Sequence, residues 1–244
     1  ASVDSLVTNG GTQSNHARVT AIAAAQRGFK CELVLHGDPK ELEKPSGNLL
    51  LMLLTGARIH IVKPEEMAER LNEVTKQLFS KGYHPFVIEG GGHSVAGALG
   101  VANAVRELAD QCTAADWFPD YIVHASGTGG TQAGILAGLD LVGWPTHVLG
   151  ISVARSAQRG SEIVRQLYAN VREQLNITST PRLVDFRDDW VGEGYGCVLP
   201  EAPELINQLF MIEGLPLDPT YTSKAMIAPF DLINDGIIPK GAKV

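Results

Sequence analysis

The sequence predicts an α/β fold of two mostly parallel sheets flanked by helices. Three observations predict it. Short apolar runs alternate with longer stretches of helical period along the whole chain, as they do where crossover helices cover parallel sheets. Glycine-rich loops fall where apolar runs give way to helices, at residues 10–16, 90–94 and 126–132. Ligands collect at such strand ends. The chain has 244 residues, 44% hydrophobic and 19% charged, enough for one large or two modest domains.

The elements follow in order. Leu6-Val7-Thr8 reads as a strand, residues 10–16 as a glycine turn that ends it, and residues 17–27 as an alanine-rich helix stopped by Gly28. Residues 31–35 form a strand, with Gly37-Asp38-Pro39 as the turn after it. Ser46 caps an apolar helix that ends near Gly56, and residues 58–62 form the next strand. Pro64-Glu65-Glu66 opens a helix to Gly82, with proline placed early and acids at the positive end. Residues 85–88 form a strand, followed by the Gly90-Gly91-Gly92-His93-Ser94 loop and a helix over 95–111. Tyr121-Ile122-Val123 is a strand that runs into residues 126–132. A helix to Val142, a strand over 147–153, a helix over 161–175 and a short strand over 183–186 come next. A glycine-rich loop over 189–200 precedes helices over 204–213 and 222–234, the last kinked or broken by Pro229. The predicted division is a small α/β domain over 1–100 and a large one over 101–244, the second incomplete.

Composition excludes several functions. A net charge of -7 argues against a nucleic-acid surface, which needs clustered Lys and Arg. The 3 cysteines are odd in number and far apart, so neither a disulfide framework nor a zinc site is indicated. The 7 histidines form no HExxH pattern, so no metal is assigned. Residues 49–54 are apolar but too short to span a bilayer, and no signal peptide is visible. A reducing, cytoplasmic setting and no membrane partner are expected.

Two loops carry candidate chemistry. In Gly10-Gly11-Thr12-Gln13-Ser14-Asn15-His16, the free N–H groups of the following helix make a site for a phosphate or a carboxylate. Simple capping by Ser14 or Asn15 is the alternative. In Ser126-Gly127-Thr128-Gly129-Gly130-Thr131, small residues let the backbone wrap an anion and two threonine hydroxyls add donors. That loop lacks the lysine of GxxxxGK[ST], and its GxGG spacing is not GxGxxG. A phosphate monoester or the phosphate of a compact cofactor fits it better than a nucleotide. A glycine turn with a capped helix is the alternative.

These residues carry a resemblance. Residues 10–18, GGTQSNHAR, look like the signature of the pyridoxal-phosphate family that holds D-cysteine desulfhydrase and 1-aminocyclopropane-1-carboxylate (ACC) deaminase. Residues 126–134, SGTGGTQAG, resemble that family's phosphate cup. Residues 192–196, GEGYG, and 217–226, LDPTYTSKAM, resemble its two tyrosine segments. The four motifs span nearly the whole chain in the right order.

The resemblance implies a two-domain fold-type-II architecture, with pyridoxal 5'-phosphate between the domains, and a homodimer acting on a small amino acid. It implies that Asn15 holds the cofactor's ring hydroxyl and that Gly127, Thr128, Gly129, Gly130 and Thr131 hold its phosphate. Ser14, with Asn15 and His16, would hold the substrate carboxylate, and Ser14 would also move a proton. Tyr195 and Tyr221 would face the substrate as catalytic groups, a role that needs a phenol pKa below its usual ~10. The alternative for both tyrosines is packing with the hydroxyl hydrogen-bonded.

The family joins its cofactor to a lysine upstream of the Ser-Asn loop. Only 13 residues precede Ser14 here, and none is lysine. Lys224 is the lysine inside a matched motif, outside the family's Schiff-base position, and is expected to be an exposed helix residue. The chain starts almost inside a strand and ends on a turn at Gly241-Ala242-Lys243-Val244 that feeds another. It is therefore expected to be a segment truncated at both ends and inactive as it stands.

The expected activity is a lyase or deaminase, foremost β-elimination from D-cysteine to pyruvate, sulfide and ammonia. ACC ring opening and L-cysteate desulfonation are the alternatives within the class. A non-catalytic pyridoxal-phosphate- or phosphate-binding protein is the alternative outside it. Thr222 stands where the resemblance implies an acid in ACC deaminases, and His16 where it implies an amide, which favours the sulfur substrates.

Overall fold

The computed structural model describes residues 2–244, which divide into two compact units, Ala1–Gly92 and His93–Val244. The expected division at residue 100 would cut a helix. The observed one falls before that helix, on the glycine turn at residues 90–92.

The first unit holds a parallel four-stranded sheet of β1 (Ser5–Gly11), β2 (Lys30–His36), β3 (Arg58–Val62) and β4 (Pro85–Ile88), in the order β3-β2-β1-β4. Helices cover both faces, which is why β2 is apolar on both. Leu33 and Leu35 pack with Ala17, Ala21 and Ala24 of α1 (Asn15–Gln26) and with Leu49 and Met52 of α2 (Gly47–Leu54). Val7 and Val34 pack on Val74 and Leu78 of α3 (Met67–Ser80) from the other side. Each such fully buried Leu or Val contributes about 1.5–3 kcal/mol.

In the second unit β5 (Tyr121–Ser126), β6 (His147–Ser152) and β7 (Asp185–Arg187) form a parallel sheet in sequence order. One face packs on α4 (Val95–Ala115), α5 (Gly130–Val142) and α6 (Ala157–Gln174). The other packs on α7 (Ala202–Glu213) and α8 (Thr222–Asn234). Helices α4 and α5 approach closely because Gly134 and Gly138 present no Cβ; one at Gly134 would lie 2.5 Å from the Ala98 carbonyl.

Several elements differ from expectation. Strand β1 runs through Gly10 and Gly11, which pair with Leu35 and His36, so the turn is confined to residues 12–14. A Cβ at Gly11 would stand 3.1 Å from the His36 ring. Ser46 makes no side-chain cap; Gln13 Oε1 accepts the Asn48 N–H at 2.9 Å instead. Residues 64–66 form a 3-10 turn ahead of α3. Helix α4 runs on to Ala115, and α6 begins at Ala157 because Ser156 caps it. The third strand of the second sheet is residues 185–187 rather than 183–186. Pro229 does not break α8, which continues through it to Asn234.

Candidate active site

The order β3-β2-β1-β4 places a reversal of winding at β1 and β4. The crevice outside the carboxyl ends of those two strands is where such a sheet binds ligands. The loop after β1 carries Ser14, Asn15 and His16, and the loop after β4 is the glycine turn, packed against α1 and β1. Ser14 caps α1, its Oγ accepting the Ala17 N–H at 3.1 Å. Capping and ligand binding are compatible, because the hydroxyl proton stays available and the N–H groups of Asn15 and His16 have no partner among the described residues. Asn48 Nδ2 donates to Asn15 Oδ1 at 2.9 Å and to the Gln13 carbonyl at 2.8 Å. The Asn15 amide is thereby oriented with its own NH2 group free.

The His16 ring turns inward. Thr8 Oγ1 gives its one proton to the Ile88 carbonyl at 2.7 Å and lies 2.8 Å from His16 Nε2. Nε2 must therefore carry a proton and donate. Burial lowers the imidazole pKa, so the neutral ring is favoured. What His16 offers at the open end of the loop is its backbone N–H.

In the second unit, α5 begins at Gly129, whose φ of 90° is a left-handed cap with no side-chain bond. The N–H groups of residues 128–132 have no partner among the described residues, although Gly129 and Gly130 are buried. Orphan donors at a buried helix end need an acceptor. Ser126 Oγ, at the strand end just before them, is also buried without a partner. Arg155, on the loop after β6, donates to the Gly127 carbonyl.

Tyr195 and Tyr221 meet, Oη to Oη at 2.6 Å with rings edge to face. Tyr221 departs from the expectation of a lowered phenol pKa. Burial first, then the bond to Tyr195 and the nearby Tyr195 and Asp218 charges, push it above the ordinary range. It is held as a neutral phenol, and either hydroxyl of the pair can donate to the other. Asp218 fixes the turn before α8: its carboxylate accepts from the N–H groups of Thr220, Tyr221 and Thr222 and from Thr222 Oγ1. Thr222 Oγ1 in turn accepts the Asp218 N–H at 2.7 Å.

Lys224 contradicts its expected exposure. It is fully buried, and its Nζ donates to the Val191 carbonyl at 2.8 Å. Burial lowers its pKa, and the neighbouring Cys197 only partly opposes this. The amine ties α8 to the loop that bears Tyr195.

The family model described as "Pyridoxal-phosphate dependent enzyme" matches residues 5–244. The chain belongs to that family. A protein of Pyrococcus abyssi named "Putative 1-aminocyclopropane-1-carboxylate deaminase" is 36% identical over 240 residues, covering 96% of this chain and 70% of that one. Among solved structures, one titled as an ACC deaminase homologue superposes with a TM-score of 0.86 at 32% identity, over 96% of this chain and 70% of the other. A T.th. threonine deaminase shares the fold, at a TM-score of 0.67 and 19% identity over 95% of this chain and 73% of its own. The cofactor of the family is pyridoxal phosphate. The unpartnered amides at residues 128–132, at a helix end where Gly129 and Gly130 are buried, suit its phosphate, so the residues present fit the group.

Asn48, Gln13, Asp218 and Arg155 escape the sequence reading. Two of the pairings are too distant in sequence to show a recognisable spacing: Asn48 and Gln13 are 35 residues apart, and Arg155 and Gly127 are 28 apart. Asp218 carried a signal, since an acid three or four residues before a helix pattern is a capping signature.

Proposed function

We propose that this protein is a pyridoxal-phosphate-dependent lyase that eliminates the β-sulfur of a small amino acid, foremost D-cysteine, to give pyruvate, sulfide and ammonia. The observation that carries the reading is the state of Thr222. No carboxylate follows Tyr221, and the Thr222 hydroxyl is closed into an exchange with Asp218. Asp218, the acid bonded to Thr222, already accepts four donors. A protonated ring nitrogen set against Thr222 would therefore find no free carboxylate there as a counter-charge. A good leaving group such as thiolate tolerates that; opening a strained C–C bond tolerates it less.

When bound, the cofactor supplies a sink for charge developing at the substrate α-carbon. The protein's residues bind and orient. Free N–H groups of Asn15 and His16 with the Ser14 hydroxyl hold the substrate carboxylate, as helix N-termini hold anions. The Asn15 NH2 group donates to the ring hydroxyl. The amides of residues 128–132 with Thr128 and Thr131 hold the phosphate. The Tyr195–Tyr221 pair, with Tyr221 kept as a neutral phenol by its burial, donates a hydrogen bond at Oη to the departing sulfur.

ACC ring opening is the second reading, favoured by the names of the relatives at 36% and 32% identity. L-Cysteate is the third substrate to test. A non-catalytic cofactor-binding protein is the reading of another class. We further take the protein as a cytoplasmic homodimer, the setting supported by the buried free thiols of Cys31 and Cys112 and the assembly by family resemblance alone. The test is an assay of the natural protein, loaded with pyridoxal phosphate, on D-cysteine, L-cysteate and the cyclopropane amino acid side by side. Pyruvate from D-cysteine at the highest kcat/KM is expected. Faster 2-oxobutanoate from the cyclopropane substrate overturns the reading, and no product from any of the three favours the binding protein.

A further inference from the structure

The guanidinium of Arg155 is an arm that the fold holds at both ends. Its backbone is tied to β6: Ser152 Oγ accepts the Arg155 N–H at 2.9 Å and donates to the Arg155 carbonyl at 2.7 Å. Strand β6 is itself paired along β5, and Ser152 lies opposite Ser126. Beyond β6, the Val153 N–H donates to the Ser126 carbonyl at 3.1 Å. From this anchored turn the side chain reaches the Gly127 carbonyl and donates to it.

The consequence follows from peptide geometry. In a planar trans peptide the C=O and the next N–H point in opposite directions. A guanidinium that fixes the Gly127 carbonyl therefore fixes the direction of the Thr128 N–H as well. Left free, the Gly127–Thr128 peptide could turn its carbonyl toward an anion on the neighbouring amides. Gly127, having no Cβ, gives that peptide the backbone freedom such a turn needs. Arg159, one helical turn on, is a second cation close enough to act on Arg155, but it makes no bond to the loop.

We propose that Arg155 is the positioning residue of the phosphate cup: it holds the Gly127 carbonyl away from the anion and so aims the Thr128 N–H at it. This rests on the reading of residues 127–131 as the phosphate site. Its effect should be specific to phosphorylated ligands, whereas a residue that merely stabilises the unit would lower affinity for all of them alike.

The experiment uses 4′-deoxypyridoxine 5′-phosphate, which has no aldehyde to couple with a lysine, and 4′-deoxypyridoxine without the phosphate. Both are titrated against the natural protein and its Arg155→Met, Arg155→Lys and Arg159→Met variants. Arg155→Met should weaken the phosphorylated ligand roughly ten- to hundredfold, the scale of one bond from a charged donor, and barely change the other. Arg155→Lys, which keeps a charged donor, should recover part of the loss. Arg159→Met should lose far less than Arg155→Met. With threonine 15N-labelled, the Thr128 amide proton should move downfield on saturation in the natural protein and in Arg155→Lys, but not in Arg155→Met. Unchanged affinity in a folded Arg155→Met variant overturns the proposal, and so does an Arg159→Met loss as large as that of Arg155→Met. If Arg155→Met fails to fold, an Arg155→Lys variant with the preference and amide shift of the natural protein supports the proposal. One that has lost both while folded overturns it. A natural protein with no preference for the phosphorylated ligand removes the phosphate-site reading itself.

Discussion

A carboxylate placed in the proposed phosphate cup should weaken cofactor binding through repulsion, and the structure decides which glycine can carry it. Gly129 is the wrong choice. Its φ is 90°, and a Cβ there would lie 2.9 Å from Val164 Cγ2. Any side chain costs about 1–3 kcal/mol in backbone strain alone, so a loss of binding would be confounded with local disruption. Gly127 is the informative one. It has no positive φ, and a Cβ would meet Val153 and Tyr221 at ordinary contact distances of 3.7 Å and 3.9 Å.

Gly127→Asp therefore adds a charge with little strain. A carboxylate about 5 Å from a phosphate charge, at an effective dielectric of about 20, is repelled by roughly 3 kcal/mol per unit of phosphate charge. That predicts a loss of pyridoxal-phosphate affinity of at least about a hundredfold. Gly127→Ala is the control and should lose less than about fivefold, since it adds a methyl and no charge. Affinity is read by fluorescence titration with the cofactor, and thermal unfolding of each apoprotein reports on folding. The Gly127→Asp deficit should shrink as salt rises, because part of the repulsion is screened. A folded Gly127→Asp variant with the affinity of Gly127→Ala refutes the phosphate site. Equal losses in the two, insensitive to salt, refute the electrostatic argument.

Two other perturbations test the frame that holds these loops. Asp140, with a side chain 3% exposed, accepts from Arg182 Nε at 2.8 Å, from Tyr168 Oη at 2.5 Å and from Arg172. Asp140→Asn removes the counter-charge of two guanidinium groups and should cost about 3–5 kcal/mol, or roughly 6–20 °C in Tm at about 2–4 °C per kcal/mol; a loss below about 1 kcal/mol by urea unfolding refutes the importance of this ion-pair cluster. Lys224 has a folded-state pKa below the ordinary lysine value of 10.5. Between the two values the unfolded chain binds the proton and the native one does not, so stability rises with pH there. The stability of the natural protein minus that of Lys224→Met should be flat below the folded pKa and climb toward pH 10.5, while a flat difference up to that pH means that the amine is not held in the buried state described.

What could be read from the sequence was whatever depends on local periodicity and short motifs. Leu33-Val34-Leu35 announces a strand covered on both faces, and the alanines of residues 17–25 a helix that packs closely. The four motif segments carry the cofactor class without any long-range information. The misreadings share a different cause. Gly10 and Gly11 look like a turn, yet the ladder to Leu35 and His36 keeps them in the strand. Pro229 looks like a break, yet α8 continues through it with Ile227, Ala228 and Leu232 buried in one core. Lys224 looks like a surface residue because its acceptor, the Val191 carbonyl, lies 33 residues away. In each case tertiary contacts overrode a local preference, and no window of sequence contains them.

The same distinction explains why ligand groups and the groups that aim them differ in legibility. Glycines and hydroxyls that meet an anion must cluster, because a helix N-terminus and its loop are contiguous in sequence. The residues that orient them are under no such constraint. Asn48 reaches Asn15 from α2, and Arg155 reaches Gly127 from the loop after β6. In an α/β sheet all such loops emerge at the carboxyl ends of neighbouring strands, so a side chain one crossover away in sequence stands beside the loop it supports. The support for a motif found at one strand end is therefore to be sought in the loops that end its paired strands. For the proposed cup at the end of β5 that is the loop after β6, where Arg155 stands.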